Sequence, residues 1–163
     1  MKKIYLAIIS MALLMLIGCT SVEGTDLNSI KIDNISLGQS IYTLDLSKYE
    51  AKDEIDNEYN YEFKELQIKT NTNNYVDKIW LNILEYNLLS IGKENKFKDI
   101  DQITDILGTN YKEYWYDKEQ GLKSHKYVDN ENNIKVNFVY DGTYNGTPNN
   151  QQRQLVWVIL ESI

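Results

Sequence analysis

The chain has 163 residues, a formal charge of −7 at neutral pH, and a single cysteine, histidine and proline. One cysteine excludes an internal disulfide and any zinc site built from several thiolates. The acidic balance argues against nucleic acid as a partner and against a basic patch that holds the protein to anionic lipid.

The first segment says where the rest will live. Lys2 and Lys3 precede an apolar run from Ile4 to Ile17, broken only by Ser10. A basic start, an apolar run and a small residue before a cut form the layout of an export signal. The run is shorter than the roughly 20 apolar residues that a membrane-spanning helix needs. Leu16-Ile17-Gly18-Cys19 resembles the lipobox of bacterial lipoproteins, which implies cleavage before Cys19 and diacylglycerol on its sulfur. Two acyl chains together give durable attachment, where one alone is marginal. Cleavage would remove 18 residues that include two lysines and no acid, leaving 145 residues with a charge of −9. The expectation is a lipid-anchored protein on the extracytoplasmic face of the cell membrane. Its only thiol would be consumed, so thiolate catalysis is excluded as well.

After the signal, residues 19–29 are small and polar and read as a tether. An α+β domain should fill 30–163, as one unit or as two fused halves, 30–92 and 97–163. That size suits one compact core. Ile30-Lys31-Ile32 alternates like an edge strand, and a weak helix is expected over about 40–48 with Ser40 as its cap. Asp53, Glu54, Asp56 and Glu58 read as a solvated loop rather than a cation site. Tyr59, Tyr61 and Phe63 share a parity that shifts at Leu66 and Ile68, which suggests a bulge near Lys64-Glu65. The turn at 70–74 and the alternation through Leu84 complete a hairpin that could run on to Leu89.

The clearest helix is expected over about 99–107. Phe97, Ile100, Ile103, Ile106 and Leu107 recur at steps of three and four. Asp99 and Gln102 form a capping box, and Gly108 is the stop. Strands follow at 111–116, 122–128 and 134–140, the last with one wet face. Leu155 to Leu160 is apolar on both faces and reads as a central strand. Each half thus reads as a helix followed by an antiparallel meander. The first closes on Ile79-Trp80-Leu81 and the second on Val156-Trp157-Val158.

On Leu37-Gly38-Gln39-Ser40, the helix 99–108, Tyr114-Trp115-Tyr116 and Leu155-Val156-Trp157-Val158, the chain resembles small envelope lipoproteins of the β-lactamase-inhibitor-like fold, the group that includes the SmpA/OmlA outer-membrane assembly lipoproteins. The resemblance implies an antiparallel sheet that acts through protein contacts on its face. It carries over no catalytic residue.

No nucleophile elbow, phosphate loop or His-Glu-x-x-His motif occurs. His125 reads as a half-buried or surface strand residue rather than a catalytic base. Asp129 to Asn133 has Ile134 where a calcium loop needs glycine, so a hairpin turn is the better account. No metal or cofactor is implied, and no enzymatic activity. The expected function is a protein-interaction module that meets an unidentified envelope protein, with Tyr114, Trp115, Tyr116 and Tyr144 of the 141–152 loop as partner contacts. Tyrosine and tryptophan are frequent interface anchors, though they also fill cores. A solute- or glycan-binding surface lipoprotein is the alternative.

Overall fold

The computed structural model describes residues 25–53, 58–143 and 153–163. Cys19, Tyr144 and the acidic 54–57 segment lie outside them. The described elements, in order, are β1 (Ile30–Ile32), a 3-10 turn (Ile41–Thr43), β2 (Tyr61–Glu62), β3 (Leu66–Thr70), β4 (Val76–Asn82), β5 (Leu89–Ile91) and β6 (Glu94–Asn95). Then come α1 (Ile100–Leu107), β7 (Lys112–Asp117), β8 (Leu122–Asp129), β9 (Ile134–Asp141) and β10 (Leu155–Ser162). The fold class is α+β, with antiparallel strands and one α-helix among the described residues.

Two meanders make one sheet. β2-β3-β4 and β7-β8-β9-β10 meet along their last strands, giving the order β2-β3-β4-β10-β9-β8-β7. Trp80 lies opposite Ile159, Leu81 opposite Val158, and Asn82 opposite Trp157. The two Trp-centred apolar segments therefore pair with each other, and β10 is central. A smaller sheet, β1-β5-β6, completes the fold.

Strand alternation gives the large sheet an inner and an outer face. Leu66, Ile68, Ile79, Leu81, Val136, Phe138, Val158 and Leu160 are buried in one continuous core with Ile100 and Ile103 of α1 and Ile30, Ile32, Leu89 and Ile91 of the small sheet. Those elements close the inner face. α1 starts where Asp99 accepts from the Gln102 backbone N–H and Gln102 returns the bond, and it ends at Gly108, whose φ of 76° suits glycine. Ile106, although on the expected apolar stripe, is largely exposed.

Four local expectations change. The helix expected over 40–48 is a single 3-10 turn, because polar side chains satisfy the backbone locally. Thr43 Oγ1 donates to the Ser40 carbonyl, and Asp45 accepts from the Ser47 N–H and hydroxyl. The parity shift near Lys64-Glu65 is a tight turn rather than a bulge. Phe63 N–H donates to the Leu66 carbonyl, and β2 folds back on β3 with Tyr61 opposite Ile68. β4 ends at Asn82, and Leu89 belongs to the small sheet. Leu27, expected in the tether, is a core residue whose N–H donates to Asp129 Oδ2 at 3.1 Å.

The Asp129 turn is a structural device. Its carboxylate also accepts from the backbone N–H groups of Glu131 and Asn132 and from the Asn132 side chain. Burial pushes this carboxyl up, but those bonds together hold it below its ordinary value. Asn133 takes a φ of 56°, which asparagine tolerates, and turns β8 into β9.

Candidate binding surface

The outer face of the large sheet carries a row of aromatic side chains. Trp80 and Trp157, on adjacent central strands, have ring centroids 6.2 Å apart. Tyr116 meets Trp157 edge-on at 5.6 Å, although their strands are not neighbours. The Trp157 side chain therefore lies across β9. From β7, the Tyr114 hydroxyl reaches over β8 to donate to Asn137 Oδ1 at 2.9 Å. Beneath these rings Val139 and Ser124 are fully buried, and Asn137 and Ile159 nearly so. β9, expected to have a wet face, is thus buried on both sides. Side chains of the same sheet, Trp157, Tyr116 and Tyr114, contribute to this cover. Glu58 and Tyr59 also lie against this face: Lys78 Nζ bonds Glu58 at 2.6 Å and stands 5.2 Å from the Tyr59 ring, and both residues are close enough to Tyr116 to act on it electrostatically.

The floor of this face is polar and incompletely satisfied. Ser124 Oγ and Asn82 Oδ1 are buried without a hydrogen-bond partner. Both lie in the cross-strand row that contains Trp157 and Val139. An unpaired buried hydroxyl or amide oxygen costs about 1–3 kcal/mol, so such atoms mark places where stability has been forgone.

The sequence-expected contacts divide. Tyr114 lies on the outer face, and alternation along β7 places Tyr116 on it as well. Trp115 points the other way, opposite Lys123, whose Nζ lies 5.2 Å from its ring. Tyr116 and Trp115 are 40% and 44% exposed, so both are reachable from solvent, but from opposite sides of the edge strand. Sequence reasoning missed Trp80 and Trp157 as members of this surface. The paired motifs that contain them were the available signal.

On the inner side of β7 and β8 sits a second polar group. His125, expected to be half-buried or on the surface, is fully buried. Its ring stacks on Tyr111 at 3.6 Å, and its Nε2 is 3.3 Å from Glu113 Oε2 and 3.2 Å from the Tyr140 hydroxyl. Tyr140 donates to the same Glu113 oxygen at 2.6 Å, and Lys123 donates to the other at 2.9 Å. Bonds from Tyr140 and Lys123 lower the Glu113 carboxyl to about 2. Burial, outweighing the pull of Glu113, lowers the His125 imidazole below its ordinary value. With Glu113 ionised and the Tyr140 proton already donated to it, the network assigns the neutral Nε2–H tautomer to His125. Arg153, ion-paired with Asp101, stands 5.4 Å from the Tyr140 ring and adds to the packing. This group ties β7, β8 and β9 together beside α1.

The chain matches no protein-family model, no curated protein and no solved structure.

Proposed function

We propose that this protein is a lipid-anchored, extracytoplasmic binding module that holds an envelope protein on the outer face of its large sheet and performs no catalysis. The observation that carries this reading is the aromatic row Tyr114, Tyr116, Trp157 and Trp80 over a floor with two unpaired buried oxygens. Aromatic anchors on a face that no other described sheet or helix covers suit a macromolecular partner. The lipobox supplies the anchor, through Cys19. The burial of His125 supports the non-catalytic part, since an imidazole with no exposed surface cannot reach a substrate in this conformation.

The test uses the full chain expressed in its membrane. Cys19→Ala should abolish acylation and release or mislocalise the protein. Intact-mass analysis that finds unmodified Cys19 on the wild-type protein would remove the anchor from this account. With the anchor intact, Trp157→Ala and Tyr116→Ala should each lose a partner that co-purifies with the wild type, while Tyr42→Ala, at an exposed tyrosine of the 3-10 turn, should keep it. Equal recovery with all three variants would contradict the proposed surface.

A further inference from the structure

We infer that the partner presents an extended polypeptide segment with an apolar centre and carboxylates at its two ends, lying across the strands of the outer face. This rests on the reading of that face as the partner surface and adds the chemistry of what sits there.

In an acidic protein, the outer face holds two pairs of lysines directly opposite each other, Lys69 with Lys78 and Lys112 with Lys126. Like charges in directly opposed positions destabilise a sheet. Glu58 pairs with Lys78 and also feels the charge of Lys69, but Lys69, Lys112 and Lys126 form no ion pair of their own among the described residues. An anionic partner would remove that repulsion and gain complementarity against the acidic remainder of the surface.

Spacing then selects the kind of anion. Lys69 on β3 and Lys126 on β8 are four strand spacings apart in the sheet order, about 19 Å. Between them lie Lys78 and the Glu161–Lys135 ion pair in the row of Lys69, and Asn137 with the apolar groups Ile159 and Trp80 in the row of Lys126. A polymer charged at every repeat would place anions over these apolar groups and lose their solvation. A polypeptide can instead carry charge only where the lysines stand. At about 3.3 Å per residue, an extended chain covers that distance in about six residues. Side chains i and i+6 of an extended segment point the same way, as do i+2 and i+4 between them. Acidic residues at the outer two positions and apolar or aromatic ones at the inner two match the face.

The experiment is a selection of random dodecapeptides against the full-length lipidated protein in detergent. The enriched peptides should carry acidic residues on both sides of an apolar centre. Their affinity should fall at least tenfold in Lys69→Glu/Lys126→Glu and severalfold in the milder Lys69→Gln/Lys126→Gln, both checked for an unchanged melt. Lys31→Glu/Lys93→Glu, on and beside the small sheet, should bind as wild type does. Absence of enrichment, enrichment of peptides without acidic residues, or indifference to the outer-face lysines would overturn the inference. So would stronger competition from polyphosphate or oligogalacturonate than from the selected peptides. A partner that depends on Trp157 but not on Lys69 and Lys126 would leave the proposed function standing and remove this inference alone.

Discussion

The two faces of the seven-stranded sheet obey different rules. The inner face is closed by α1 and the small sheet, and its apolar side chains form one continuous core. The outer face carries aromatics of its own strands over buried polar atoms that lack partners. On the inner face the buried polar groups, His125 and Asp129, are hydrogen-bonded, whereas Ser124 Oγ and Asn82 Oδ1 on the outer face are not. The difference teaches that the outer face keeps polar groups whose pairing the fold does not complete, a cost in stability that the proposed binding role would account for.

The contrast can be broken most severely from the inside. Ile103→Asp would place an unpaired carboxylate in the core beneath α1, where Ile103 is fully buried. A loss of about 3–5 kcal/mol is expected, measured by denaturant unfolding. Wild-type-like stability would mean that the helix does not close this face. A milder cut is Asp99→Ala, which removes the side-chain half of the capping box and should cost about 1 kcal/mol in the same assay.

The outer face should answer in the opposite direction. Ser124→Ala deletes a buried hydroxyl without a partner, so stability should hold or rise by up to about 1 kcal/mol. A large loss would show that Ser124 Oγ is satisfied in solution, and the contrast between the faces would weaken.

Acid acts on the inner face in two steps. The folded His125 is held below its ordinary value of 6.5, so the unfolded chain takes up this proton first. Stability is then full above about pH 6.5 and declines as the pH falls below it. Glu113, lowered from 4.5 to about 2, adds a second decline only below pH 4.5. Melts between pH 7 and 5 should show the first step in the wild type and not in His125→Asn. An identical slope in both would detach the step from His125.

How much of this was readable in the sequence follows from how local each feature is. The α1 signals Asp99, Gln102 and Gly108 stand within ten residues, and all three act as expected. The alternation of Ile134, Val136, Phe138 and Tyr140 marked a strand, and the two-sided apolar run from Leu155 marked a central one. The helix expected near 40–48 failed because Thr43, Asp45 and Ser47 bond to their own neighbours. His125 is buried by Tyr111, Glu113 and Tyr140, which come together only when three strands align. The run Tyr114-Trp115-Tyr116 reads as one patch, but strand alternation sends Trp115 to the other side. Trp157 covers β9 by reaching across it toward Tyr116 of β7, a strand distant in sequence, a placement that no local pattern encodes.

The central claim is that the outer face, and not another exposed part of the molecule, meets the partner. A photo-crosslinking amino acid placed at Tyr116, which meets Trp157 on that face, and separately at Tyr42, which is 78% exposed on the 3-10 turn, compares the two directly in living cells. The account predicts a discrete adduct from position 116 that disappears when Trp157 is also changed to Ala, and no such adduct from position 42. An adduct from 42 alone, or one from 116 that is indifferent to Trp157, would contradict it.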